Sequence, residues 1–172
     1  MTRFRTVATL AQTIGGPVAP AVGQPAPAFE LFDYSRAPVS LESLRGSNTV
    51  LAFIPFPFTS TCDGEACDLR DRLSQIEDLD AKVVVITCDT LPSNKEWAKQ
   101  NEFGFPILSD FWPHGAASKD YGVFNEALGC ANRTTFVIDA EGVVRDIAST
   151  ASLGVAREAD HYLAALNALD KI

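Results

Sequence analysis

Two short apolar stretches, residues 48–53 and 82–88, stand on either side of a run in which apolar residues recur with helical spacing. This strand, helix, strand order constrains the fold more than any other feature of the chain. Between the two strands, Cys62, Ala66, Leu69, Leu73 and Ile76 fall on one inward stripe, which predicts a single amphipathic helix with Cys62 opening its buried face. A second helix is expected from the capping box Ser93-Asn94-Lys95-Glu96, running through Trp97 and Ala98 and ending before Gly104. Residues 133–138 and 143–148 read as strands joined into a hairpin by Asp139-Ala140-Glu141-Gly142. A third helix from Val155 would bury Ala159, Tyr162, Leu163, Leu166 and Leu169.

The order predicts an α/β fold with a central mixed sheet covered by helices on both faces, a three-layer arrangement compatible with a thioredoxin-like fold. With 172 residues, one domain is expected. The Pro, Ala and Gly-rich stretch 18–27 reads as a linker, so residues 1–21 form an N-terminal extension and residues 22–172 the domain. Fourteen basic against 22 acidic residues give a net charge of −8, which argues against nucleic acid or an anionic membrane as partner. The longest apolar run is broken at Pro55 and Pro57, well short of the roughly 18 residues a bilayer helix needs. The apolar stretch 7–11 is shorter than a signal-peptide core and is followed by Gln12 and Thr13, so the expected location is cytoplasmic. Four cysteines are too few for a disulfide framework, and each must be judged singly.

Cys62 carries the most information. With Ser60 or Thr61 as N-cap it falls in the first helical turn, where unpaired N–H groups and the helix dipole favour an anion, here the nucleophilic thiolate. Asp63 and Glu65 oppose that anion, so a cation from elsewhere in the chain is required. The bland alternative is a small apolar residue on a buried helix face.

The surrounding residues favour chemistry. Pro55-x-x-x-Thr59-x-x-Cys62-x-x-Glu65 resembles the active-site signature of the peroxiredoxins. Val22-Gly23-Gln24-Pro25-Ala26-Pro27 is similar to that family's opening segment, Phe105-Pro106-Ile107-Leu108-Ser109-Asp110 to its central segment, and 131–139 to the segment carrying its active-site arginine. Phe111-Trp112-Pro113-His114-Gly115 and Tyr121-Gly122-Val123 resemble the AhpE-like subgroup in particular. The resemblance implies a peroxiredoxin domain over residues 22–172 and a peroxidase acting on hydrogen peroxide or organic hydroperoxides without metal or organic cofactor. In it Cys62 would attack the peroxide and become a sulfenic acid. Thr59 would hold the peroxide and accept its proton, Arg133 would supply the cation, Pro55 would shield the sulfur and Glu65 would orient the arginine. Raising the thiolate fraction alone is worth roughly 2 kcal/mol of barrier. The remaining acceleration must come from donors aimed at the breaking O–O bond, namely Arg133, the Thr59 hydroxyl and the N–H groups of the helix start.

Cys67 lies five residues after Cys62, a spacing that resembles the Q-type peroxiredoxins and implies a resolving cysteine. Five helical residues turn about 140° and rise about 7.5 Å, so a disulfide requires the helix start to unwind. The spacing also sets Cys67 on the polar side with Asp71, Ser74 and Asp78. The alternative is a one-cysteine mechanism in which an external thiol reduces the sulfenic acid. Cys88 is expected to fill core, and Cys130, three residues before Arg133, to play no redox part.

The reductant implied is thioredoxin, a mycoredoxin-like protein or a small thiol. A thiol–disulfide oxidoreductase would share the fold but wants a Cys-x-x-Cys, which the chain lacks. A zinc site would need ligands at metal spacing, and His114 and His161 are expected to be solvated. A non-catalytic domain would leave Cys62 unreactive. Phe56, Phe58, Phe111 and Trp112 either pack inside or form a homodimer contact and an apolar mouth for alkyl peroxides.

Overall fold

The computed structural model describes residues 19–169. In chain order the elements are β1 (Glu30–Asp33), β2 (Pro38–Ser40), α1 (Leu41–Leu44), β3 (Asn48–Phe53), α2 (Ser60–Asp71), α3 (Leu73–Glu77) and β4 (Ala81–Thr87). There follow α4 (Leu91–Asn101), β5 (Ile107–Ser109), α5 (Ala116–Asp120), β6 (Phe124–Asn125), β7 (Cys130–Ala131), β8 (Thr134–Ile138), β9 (Val144–Ser149) and α6 (Ala159–Leu169).

Seven strands form one mixed sheet in the order β2-β1-β5-β4-β3-β8-β9, and β6 with β7 makes a small ribbon. The central β3 runs parallel to β4 and antiparallel to β8. Because successive side chains leave a strand on opposite faces, β3 serves two cores at once. Val50 and Ala52 pack with Val83, Val85 and Val137 under α2, α3, α4 and α6. Leu51 and Phe53 pack with Val84, Ile86, Phe136 and Ile138 against residues of α1 and α5. Each such side chain taken wholly out of water contributes about 1.5–3 kcal/mol, which explains why strands this short can be apolar on both faces. Helices therefore cover both faces of the sheet, as expected from the sequence.

Several boundaries differ from the sequence reading. The predicted continuous helix is two, α2 and α3, separated at Arg72, whose guanidinium bonds Asp68 at 2.9 Å and Asp160 at 2.6 Å. The break keeps Ile76 in the core and leaves Leu73 only partly buried. The second helix starts three residues early: Thr90, not Ser93, is its N-cap, and Pro92 sits in the first turn, where a missing N–H costs nothing. The last helix begins at Ala159 instead of Val155. Strands β1, β2 and β5 are three or four residues long, too short for periodicity to declare them. The extension proposed for residues 1–21 lies outside the described residues up to residue 18. Among the described residues no helix is long and apolar enough to cross a membrane.

Gly115 fixes the start of α5 with φ +68°, and a Cβ there would lie 2.2 Å from the Phe124 ring. Gly115→Ala is therefore expected to destabilise the fold by at least about 2 kcal/mol, from the left-handed backbone and the overpacking together. Urea unfolding checks it.

Candidate active site

The loop between β3 and α2 turns sharply. Ile54 still pairs with Ile86 across the sheet, Pro55 is buried behind it, and Phe58 takes φ +64°. A left-handed phenylalanine costs about 1–2 kcal/mol, so the surrounding packing must over-determine this turn. It delivers Thr59 in extended conformation as the N-cap of α2, where the sequence had pointed to Ser60 or Thr61. The Thr59 hydroxyl is exposed and donates to the Phe56 carbonyl at 2.9 Å, and no side chain caps the helix. The first-turn N–H groups, that of Cys62 included, are thus left free of a side-chain acceptor and face outward from the helix start.

Cys62 is the third residue of α2. Its side chain is wholly buried, on the stripe that Ala66 and Leu69 continue. Arg133, between β7 and β8, reaches it across the sheet end and donates from Nη2 to Cys62 Sγ at 3.1 Å. Two further bonds fix the guanidinium: Nε donates to the Leu153 carbonyl, and Nη1 to Glu65 Oε2. Glu65 in turn accepts from Arg157, through the backbone N–H at 2.6 Å, Nε at 3.0 Å and Nη2 at 3.0 Å.

All three charged side chains are at least nine-tenths buried. Their mutual bonds offset the desolvation that an isolated buried charge could not survive. Two guanidiniums and one carboxylate leave one net positive charge, and Arg133 turns its third nitrogen to the Cys62 sulfur. Glu65 therefore does not act as a bare negative charge beside the sulfur; it is neutralised and used to hold Arg133.

Arg157 escaped the sequence reading because its partner is 92 residues away and no motif surrounds it. The only hint was an arginine in the small-residue stretch before the last helix. Arg157→Met would strip Glu65 of its two side-chain bonds from Arg157, with an expected loss of about 3 kcal/mol in unfolding free energy. Chemical denaturation of the reduced protein measures it.

The other cysteines are placed differently. All four are free thiols. Cys67 is half-buried, and not on an open polar face: it packs beside the core and contacts Asn101 Oδ1 of α4 at 3.7 Å. Cys88 is buried against Ser118, and burial pushes its thiol up to about 11, which disfavours a thiolate. Burial also raises the Cys130 thiol, with the neighbouring Cys62 adding to the effect. His114 is not solvated as expected, since its ring nitrogens lie 3.1 Å and 2.8 Å from the carbonyl oxygens of Phe111 and Gly129. His161 is half-exposed and pairs with Asp146 at 2.6 Å. No group of three metal-type ligands occurs among the described residues. Phe56, Phe58, Phe111 and Trp112 do not pack inside; all four are exposed, Trp112 to 81%.

The arrangement can hold a sulfur nucleophile against a fixed guanidinium at a helix start, a geometry suited to receiving a small polar oxidant.

A family model described as the AhpC/TSA family matches residues 22–147. Alkyl hydroperoxide reductase E of Mycobacterium tuberculosis is 49% identical over 125 residues, covering 72% of this chain and 82% of that protein. The crystal structure of peroxidoxin BcpB from Mycobacterium tuberculosis superposes with a TM-score of 0.79 at 33% identity, over 87% of this chain and 98% of that one. The structure of Enterococcus faecalis AhpC gives a TM-score of 0.81 at 25% identity, over 88% and 93% of the two chains. These structures share the thioredoxin-like arrangement of a mixed sheet between helices.

Proposed function

The chain belongs to the AhpC/TSA family, the peroxiredoxins, and is a thiol-dependent peroxidase; on that premise we propose that Cys62 is its peroxidatic cysteine, served by Arg133, Thr59, Glu65 and Pro55. The observation that carries this reading is the 3.1 Å contact from Arg133 to the Cys62 sulfur, held from behind by Glu65.

In the first step the Cys62 thiolate attacks the terminal oxygen of a hydroperoxide. The S–O bond forms as the O–O bond breaks, the sulfur is oxidised to a sulfenic acid, and the departing oxygen leaves as water or an alcohol after taking a proton. Negative charge moves from sulfur onto the two oxygens. Arg133 Nη2 stands where both ends of that charge can reach it, and the uncapped N–H groups of α2 add to it. Thr59, whose own hydrogen goes to the Phe56 carbonyl, orients the peroxide by accepting a hydrogen bond from its O–H; the peroxide proton passes to the departing oxygen, and the sulfenate left on Cys62 is protonated by water. Pro55, buried behind the loop, keeps water from the sulfur. Hydrogen peroxide and alkyl hydroperoxides both suit the site, and the exposed rings of Phe56 and Phe58 offer an apolar margin for the alkyl group.

In the second step Cys67 resolves the sulfenic acid: its sulfur attacks Cys62, an S–S bond replaces the S–O bond, and water leaves. Thioredoxin, a mycoredoxin-like protein or a small thiol then returns two electrons, which fits the reducing cytoplasm. A homodimer through the exposed faces of Phe111 and Trp112 completes the reading.

Intact-mass measurement after one equivalent of peroxide tests the resolving step. Loss of two hydrogens, abolished by Cys67→Ser, is the expected result. A lasting gain of one oxygen in the parent chain assigns resolution to an external thiol instead.

A further inference from the structure

Helix α2 shows two faces to the protein. Cys62, Ala66 and Leu69 face the sheet, whereas Asp63, Cys67 and Arg70, spaced i, i+4 and i+7, lie along the C-terminal half of α4. The contacts along this second face are specific. Trp97, wholly buried on α4, donates its indole Nε1–H to Asp63 Oδ1 at 2.6 Å. Asn101, one turn further, donates to the Trp97 carbonyl at 3.1 Å, and its side-chain oxygen faces Cys67 Sγ. Arg70 Nη1 donates to the Asn101 carbonyl at 2.8 Å. The lower part of α2 is thereby anchored through Asn101, and the first turn through Asp63.

The proposed chemistry needs that first turn twice, in opposite states. Wound, it holds the buried Cys62 sulfur against Arg133 and beside the free N–H groups, the arrangement in which peroxide is reduced. Unwound, it lets the oxidised Cys62 cross the roughly 7.5 Å rise and the 140° that separate it from Cys67. Asp63 is the residue beside Cys62, so the first turn cannot leave its place without breaking the bond to Trp97.

We propose that the Asp63–Trp97 hydrogen bond is a latch that holds the first turn of α2 wound and sets how often Cys62 is released toward Cys67, with Asp63 and Trp97 as positioning residues. The role in release rests on the reading of Cys67 as the resolving cysteine; the latch itself does not. Trp97 is well suited to the part, because its ring is fixed edge-on against Phe103, with centroids 5.0 Å apart, and cannot follow the helix as it opens. Asp63 is only half-buried, so once the bond breaks water receives the carboxylate and opening stays affordable.

The test uses the full-length chain with Trp97→Phe, Asp63→Ala and both together, each with Cys67 intact and with Cys67→Ser. Hydrogen exchange is read at the amides whose bonds close the first turn of α2, that of Asp63 onto the Thr59 carbonyl at 2.8 Å and those of Gly64 and Glu65 onto Ser60 and Thr61. In the reduced Cys67→Ser chain it is expected to quicken about tenfold in either single variant, the effect of losing one hydrogen bond to a charged acceptor. The double variant should quicken it no further, while the amides of β3 and β4 keep the exchange of the parent. With Cys67 intact, the Cys62–Cys67 disulfide should form about tenfold faster after a peroxide pulse in Trp97→Phe, and the preceding oxidation of Cys62 should change less than about twofold. First-turn exchange that is unchanged in both single variants, or effects that multiply in the double variant, would overturn the latch. Faster exchange in chains that form no Cys62–Cys67 disulfide would instead sink the reading of Cys67 and leave the latch standing.

Discussion

Cys62→Ser is expected to lower the rate of hydroperoxide reduction by at least about a thousandfold, because a serine hydroxyl at neutral pH offers neither the anion nor the polarisable sulfur that opens an O–O bond. The fold should survive the change. Cys62 is buried among Ala66, Leu69 and Ile54, and a hydroxyl there still finds the Arg133 donor 3.1 Å from the old sulfur position. Unfolding free energy should fall by no more than about 1–2 kcal/mol, so a folded and inactive protein is the result that identifies the nucleophile. Peroxide consumption by this variant at the parent rate would transfer the chemistry to another cysteine. Burial disfavours a thiolate at Cys88 and at Cys130.

The second large effect is expected at Arg133. Arg133→Ala should slow oxidation of Cys62 by about 10²- to 10³-fold even at a pH where the thiolate is fully formed, the cost of removing one preorganised donor from developing charge. The reasoning turns on magnitudes. A higher thiolate fraction supplies roughly 2 kcal/mol of barrier and saturates once ionisation is complete, whereas stabilisation of the two oxygens does not. The alanine variant also leaves Glu65 with Arg157 as its sole partner and opens a buried space, which costs about 3–5 kcal/mol of stability. Arg133→Lys separates the two effects. It keeps a charge near Glu65 but cannot hold Glu65, the Leu153 carbonyl and the sulfur at once, so it should be more stable than the alanine variant and still slow. Equal rates for Arg133→Ala and parent at full ionisation would limit the arginine to forming the thiolate.

What could be read from the chain follows how local each feature is. The strands 48–53 and 82–88 announce themselves because both faces are buried, and Cys62 declares its place because the helical stripe and the Pro55, Thr59 and Glu65 spacing agree. Arg133 was reachable through resemblance, since no spacing ties it to a residue 71 positions away. Arg157 was not reachable by either route. It pairs with Glu65 from the loop before α6, and only the folded chain brings the two together. Arg157 also bears on Glu65, which the resemblance makes the orienter of the arginine and the sequence alone leaves as a negative charge beside the sulfur: the second guanidinium is what offsets that charge.

The short strands β1, β2 and β5 show a different limit, because three or four residues carry no period and their pairing is decided by neighbours. The start of α4 shows a third. The Ser93 to Glu96 pattern points three residues too far along, whereas the chain caps the helix with Thr90 and sets Pro92 in its first turn. At Cys67 the periodicity placed the residue correctly around the helix and misjudged what lay there, since the side of α2 that looks polar in sequence is where α4 packs.

The most direct measurement is the stopped-flow rate of hydrogen peroxide with the reduced Cys67→Ser chain, followed by alkylation mapping of Cys62 and compared with a small-molecule thiolate at equal ionisation. Oxidation at Cys62 at least about a thousandfold faster than the small thiolate is expected, given several donors each worth about 10²-fold or more. A rate no greater than that of the free thiolate would contradict it, because burial beside Arg133 would then do nothing for the breaking O–O bond.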